Sequence, residues 1–334
     1  MAKRDPTADA LRELRALERD PGRPDAEAIL KRALANRANV VVGRAAPLVA
    51  SLGLRSLAPD LEKAFEFFRD TPDRDQESAT KIEIVHALSR LGEDLGEETL
   101  LAAIYHSQFE YGSVTGLHGE KMPVDGGAAL RGTAIIALAE REHPQAANEA
   151  IRLLTKDPYV QARKGALAAL TAMHIPNLHL ILRIKALQND DFPDVISETY
   201  KALAVVDPDG IEFVSQFLTG HGAHNALLAA LALSDTARLE LVEPLIETWK
   251  HWRDQDEMLN EYLLVAIAGI RHEKSFEFLL DTVRDGNASY GEWALYALQL
   301  YNDDPDARAQ IREAAAESTN SSLIALANRM FRDR

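Results

Sequence analysis

Cysteine is missing from the 334-residue sequence. That excludes disulfides, thiolate zinc ligands and cysteine nucleophiles. Aromatic residues are scarce, at 6%, so a core has to be filled with smaller side chains. No apolar run approaches the ~18–20 residues that span a membrane. The first twenty residues carry charge throughout and lack the apolar centre of a secretory signal. GxSxG, HExxH and Walker-type patterns are also missing. The expectation from these gaps is a cytoplasmic protein, not an enzyme, with no catalytic residue, no metal ligand, no cofactor and no membrane partner.

Basic residues are outnumbered, and the formal net charge is −15. Phosphate backbones need clustered Lys and Arg, so nucleic acid is excluded as the main partner. The imbalance is uneven. Residues 1–55 hold eleven basic and seven acidic side chains, a net +4; the rest holds 26 and 45, a net −19. An acidic body of this kind is expected either to steer cationic partners or simply to keep the protein in solution.

What the chain does have is alanine and leucine, which favour helix, arranged in a recurring block. The stretch 157–174, DPYVQARKGALAALTAMH, shows it best. On a helix Ala162, Ala166, Ala169, Leu170 and Met173 share one narrow face, against which another helix can lie close. A small-then-apolar pair recurs at Leu48-Val49, Ala87-Leu88, Ala137-Leu138, Ala169-Leu170, Ala202-Leu203, Ala230-Leu231, Ala266-Ile267, Ala297-Leu298 and Ala325-Leu326. Its spacings are 39, 50, 32, 33, 28, 36, 31 and 28. All but the second suit a unit of two helices and two turns. An amphipathic segment precedes each pair, for instance at 26–36, 57–68, 146–155, 211–218, 237–252 and 275–283. Turn signals stand between at Gly92, Asp157-Pro158, Asp207-Pro208, Asp285-Gly286 and Asp304-Pro305. No period-two run is sustained, so no strands are expected. Residues 1–24 form a capping helix or tail, with Leu11, Leu14 and Leu17 on one stripe. Residues 25–334 form a single array.

A second register runs through the array. Twelve residues before the anchor pair stands Asp75, Asp125, Asp157, Asp190, Asp254 or Asp285; six before it stand Lys81, Arg131 and Arg163. An Asp at the turn, Ala162-Arg163, Ala166 and Ala169-Leu170 together resemble the HEAT-repeat family, including its short bacterial lyase-like variety. The resemblance covers about residues 25–332. It implies an all-α, right-handed α-solenoid of about nine helical pairs whose second helices line a concave face. It implies a binding scaffold rather than an activity.

The Asp/cation register is expected to form a structural ladder: carboxylates accept helix-start N–H groups and pair with the cations. The competing reading is a basic strip for an anionic ligand, which the matched aspartates oppose. From the fifth repeat the cation position reads Ile196, His224, Asn260 and Gly291. Asp190, Asp254 and Asp285 remain there, joined by Asp191, Asp194, Glu198, Asp256, Glu257 and Glu261. That predicts a more acidic surface in the second half, either a site for a basic protein or peptide or simply a solvated face.

The spacing of 50 marks an insertion of about twenty residues in the third repeat, at about 105–126. It is expected to be a Gly-rich loop bearing Tyr105, His106, Tyr111, His118, Glu120 and Lys121. Long loops in repeat proteins carry contacts. Gly112, Gly116 and Gly119 do not match a phosphate loop. Partner contact at Tyr111, His118 and Glu120 stands beside an incidental insertion, or a metal or acid/base site at His106, His118 and Glu120. His221 and His224 sit three apart, with no obvious carboxylate. Trp249 and Trp252 close one amphipathic helix; one packs inward, and Trp252 is the candidate contact, with Glu198 and Glu261. The alternative to a non-catalytic scaffold is a HEAT-type enzyme or lyase-like chaperone using the loop histidines. Against it, His272-Glu273 is the one His-Glu pair where repeated pairs would ligate iron, and the acidic balance does not suit a DNA glycosylase. No motif singles out a bilin pigment.

Overall fold

Helix starts in this chain follow local chemistry. Asp5, Asn287, Asp304 and Asn320 each accept a backbone N–H from two or three residues ahead. Pro6, Pro193 and Pro305 stand at the first helical turn, where the missing N–H costs nothing. The structure is a computed structural model; it describes residues 5–115, 121–188, 192–255 and 257–332, and at 111–115, 121–123, 257 and 258 it describes the backbone alone.

Among these residues the chain is all-helical apart from one hairpin. Nineteen α-helices follow in order. They are α1 Pro6–Arg19, α2 Ala26–Leu34, α3 Asn39–Ser51, α4 Ala58–Asp70, α5 Ala79–Leu91, α6 Glu97–Ala103, α7 Ala128–Glu140, α8 Ala146–Lys156, α9 Val160–Ala172 and α10 Leu178–Gln188. Then come α11 Pro193–Val206, α12 Gly210–Ser215, α13 Ala223–Ser234, α14 Val242–Trp252, α15 Glu257–Gly269, α16 Glu273–Arg284, α17 Ala288–Leu298, α18 Pro305–Glu317 and α19 Ser321–Met330. All nine small-then-apolar pairs fall on the odd-numbered helices from α3 to α19. No described helix is long and apolar enough to cross a membrane.

The chain divides into two compact units, Met1–Pro176 and Asn177–Arg334. In the first, α1 meets α3, α3 meets α5, α5 meets α7 and α7 meets α9. In the second, α11, α13, α15, α17 and α19 meet in the same successive way. Within both units each of these helices after α1 also packs on the even-numbered helix before it. Leu14 and Leu17 of α1 are fully buried, so α1 is packed rather than trailing.

Small residues set the closeness of this packing. On α9, Ala162, Ala166, Ala169 and Leu170 are fully buried, while Met173 at the helix end is half-buried. A close backbone approach lies between Gly132 on α7 and Gly165 on α9. A Cβ added at Gly165 would stand 2.3 Å from the Cα of Gly132 and 2.6 Å from its carbonyl oxygen.

Several odd helices end the same way, five residues past the start of the anchor pair. Gly53, Glu142, His174 and Arg271 stand there with φ of +62°, +51°, +50° and +55°. At Glu142 the backbone closes in paired bonds: His143 N donates to Leu138 O and Glu142 N to Ala139 O, both at 3.0 Å.

The expected absence of strands is corrected by the third repeat. There β1 Phe109–Thr115 pairs antiparallel with β2 Lys121–Asp125, from Phe109 opposite Asp125 to Thr115 opposite Lys121, with an irregularity between Tyr111 and Val114. Strands of seven and five residues are too short for a sustained alternation to mark them. Both strands are edges, which is why Pro123 is tolerated in β2.

Two outcomes test this packing. Gly165→Ala gains helix propensity yet collides with backbone, so it should lower stability by at least about 2 kcal/mol in denaturant unfolding. An unchanged midpoint would mean that α7 and α9 do not meet through their backbones. Glu142→Gly relieves a left-handed side chain and should raise stability by about 0.5–1 kcal/mol.

Candidate functional site

The third-repeat hairpin grows out of a buried polar network, and the network uses the Asp/cation register. In the second repeat, Asp75 Oδ1 accepts Thr80 N at 2.7 Å and Oδ2 accepts Lys81 N at 3.2 Å. These bonds satisfy N–H groups at the start of α5 that have no helical partner. The Lys81 ammonium returns to Asp75 Oδ2 at 2.9 Å, and both side chains are fully buried. Its other acceptors are Gln108 Oε1 at 2.9 Å and the Phe68 carbonyl at 3.4 Å. Burial holds the Lys81 pKa below its ordinary value, against the pull of Asp75.

In the third repeat, Asp125 Oδ1 accepts Gln108 N and Gly127 N, both at 2.8 Å. Its Oδ2 takes Ser107 Oγ at 3.1 Å and Arg131 Nη1 at 2.7 Å. Burial pushes the Asp125 pKa up, but the Gln108 N–H, the Arg131 guanidinium and the Gly127 N–H outweigh it and hold it below the usual carboxylate range. Arg131 then crosses to the fourth repeat: Nε and Nη2 grip Asp157 Oδ2 at 2.7 Å and Oδ1 at 3.0 Å. Nη1 also donates to the His106 carbonyl at 2.7 Å. Burial lowers the Arg131 pKa, and the two carboxylates more than reverse it. Arg163 Nε donates to the main-chain oxygen of Asp157. One guanidinium therefore joins two repeats, and a bidentate carboxylate fixes their separation.

Gln108 closes the network from the hairpin side. Its Nε2 donates to the Asp75 carbonyl at 2.7 Å and to Glu110 Oε1 at 2.5 Å. Glu110 in turn accepts Glu77 N at 2.7 Å, at a turn where Glu77 and Ser78 both have positive φ. The sequence pattern did not single out Gln108 or Glu110, because neither lies on the register. His106 stands beside them, Nε2 3.3 Å from Gln108 Oε1. Burial, with Lys81 and Arg131 nearby, keeps its pKa below the ordinary imidazole value.

The remaining candidate residues fall in several places. Tyr111 lies on β1 opposite Pro123. His118 and Glu120 lie outside the described residues, as do Asp190, Asp191 and Asp256. Glu198 on α11 is half-buried, 3.7 Å from Lys201, which also holds Asp235 at 2.7 Å. Glu261 is half-buried on α15. Trp252 gives its indole N–H to the Leu218 carbonyl at 2.8 Å, tying α14 to the preceding repeat. Trp249 is the inward ring, edge-on to Phe278 and Tyr290. His221 stacks on Phe217 at 4.5 Å, and both His221 and His224 are exposed. No three His, Asp or Glu side chains converge as metal ligands among the described residues.

The Asp register changes character in the second unit. Asp254 is 73% exposed and Asp285 is exposed too, so neither joins a buried rung. Among the described residues of this unit a different aspartate, Asp207, is the buried one; it accepts Arg183 Nε at 2.5 Å from α10.

No family model matches the sequence, and comparison with curated proteins finds no match. Among solved structures the chain is similar to the crystal structure of an engineered protein, at 17% identity over 92% of this chain and 88% of that one, with a TM-score of 0.33. A likeness of that size carries no argument about function.

Arg131→Met should cost about 3–5 kcal/mol in chemical unfolding, because it strands two buried carboxylates. The Asp125 contribution also depends on pH. It is present above the unfolded value near ~3.9 and is lost as pH falls through the lower folded value. Unfolding midpoints should therefore drop steeply below about pH 4, and Asp125→Asn should flatten part of that drop.

Proposed function

We propose that this chain is a HEAT-like α-solenoid that binds a protein or peptide without catalysis. The second helices supply the binding face and the third-repeat hairpin supplies a further contact. The observation that carries this reading is the root of the hairpin. An incidental surface insertion would hang from its two ends. This one instead enters the buried network at Gln108 and Asp125, so its strands leave the repeat in a fixed direction. A rigidly held edge ribbon is preorganised for contact, which lowers the entropy lost on binding. The ladder supports the same reading from the other side. Lys81 and Arg131 are buried and committed to carboxylates, so they are not a strip for an anionic ligand. The acidic balance of residues 56–334 favours a basic partner.

The test removes the hairpin while keeping its root. Glu110 and Val124 are paired across the ribbon, so residues 111–123 can be replaced by Asn-Gly, a two-residue turn that suits such a pair. The trimmed chain should keep its helical circular dichroism and its unfolding midpoint. In quantitative affinity capture from the native host it should lose partners that the full chain retains. Those partners should also weaken with salt and with Glu198→Lys/Glu261→Lys. Identical capture by the two chains would remove the hairpin from the binding surface.

A further inference from the structure

The seventh repeat keeps the Asp of the register, at Asp254, but carries Asn260 where Lys81 and Arg131 stand in earlier repeats. A cleft of about 450 Å³ opens at this place in the second unit. Arg253, Asp254 and Asn260 line one part of it, and Asn287, Tyr290 and Trp293 another. Asn260 is fully buried. Its Nδ2 donates to the Arg253 carbonyl at 3.2 Å, and its Oδ1 has no partner among the described residues. A buried amide oxygen without a donor is costly, and native proteins rarely leave one so.

The acceptors match a set that the chain already uses. The Lys81 ammonium is held by a carboxylate, an amide oxygen and a main-chain carbonyl: Asp75, Gln108 and Phe68. The cleft offers the same three kinds of oxygen at Asp254, Asn260 and Arg253. The Tyr290 hydroxyl lies 3.3 Å from the Arg253 carbonyl and 2.7 Å from Asp254 Oδ1; it has one proton, and the shorter contact takes it. The Arg253 carbonyl therefore keeps a lone pair beside the Asn260 bond. The Arg253 guanidinium pairs with the Asp254 carboxylate only at long range. It lies over the rings of Trp249 and Tyr290, at 5.2 and 5.9 Å, with Nε 3.7 Å from Asp254. Trp293 adds a half-buried ring at the rim, suited to the methylenes below an ammonium.

We infer that this cleft is a receptor for the ammonium group of a lysine side chain carried by a peptide, which completes from outside the rung that Lys81 completes from within. The inference deepens the peptide-binding reading and rests on it for the source of the lysine. The pocket chemistry can be tested alone.

The full chain is titrated with a short capped peptide containing one lysine, followed by calorimetry and tryptophan fluorescence. Matched peptides carry norleucine, glutamine or arginine instead. The lysine peptide should bind saturably, in the range of about a millimolar for a single side chain. Norleucine and glutamine should not bind. Asp254→Asn removes an exposed carboxylate, so folding is spared; it should weaken the lysine peptide at least about tenfold, whereas Glu313→Gln on α18 should leave binding unchanged. Asn260→Leu, with folding checked by circular dichroism, should abolish binding. Saturation by norleucine, indifference to Asp254→Asn, or no lysine binding at all would overturn the inference. Equal binding of the arginine peptide would overturn the ammonium assignment. Loss of partner capture on hairpin trimming, with this titration intact, would separate the two readings.

Discussion

Neighbouring odd-numbered helices can lie close only if the residues between them are small, and this constraint governs the rest. A single helix pair has an apolar face that it cannot cover itself. Alanine at Ala162, Ala166 and Ala169, and glycine at Gly132 and Gly165, let the next pair cover it. The scarcity of aromatic residues follows, since a Phe or Trp between such helices would force them apart. The same closeness leaves the turns little room, so left-handed residues end several helices even where glycine is missing, as at Glu142, His174 and Arg271.

In the first unit, packing buries first-turn residues of α5 and α7, together with N–H groups that no helix can satisfy. The aspartates answer that need in the first unit, and their charge then requires a cation. Lys81 answers within its own repeat; Arg131 answers in two repeats at once. Burial makes these groups specific rather than simply stabilising, because any partner removed leaves a charge in a poorly solvated place. Where the chain reaches the seventh repeat, Asn260 replaces the register cation, and the Asp254 carboxylate is 73% exposed and pairs with the neighbouring Arg253 at 3.7 Å. The local rule is therefore one of satisfaction: a carboxylate stays inside only while a cation holds it there.

The hairpin shows how an insertion can be accommodated without breaking that rule. Gln108 presents an amide to both sides, taking the Lys81 ammonium on its oxygen and giving its N–H groups to Asp75 and Glu110. The insertion extends the network, and the ribbon begins from a fixed base.

The sequence by itself determined the helices, their alternation and the register of the first unit. These depend on patterns within a dozen residues: apolar period, turn residues, and an Asp six positions before its cation. The site was only partly legible. Gln108 lies 27 residues from Lys81 and 33 from Asp75, so no local spacing marks it. The strands of the hairpin are short and carry no sustained alternation, so a period of two does not mark them. Asp254 and Asp285 share a sequence position with Asp75 and Asp157, yet only folding decides which carboxylate is buried. That choice is made by the cation across the turn, and a cation's reach is a property of three-dimensional packing rather than of sequence order.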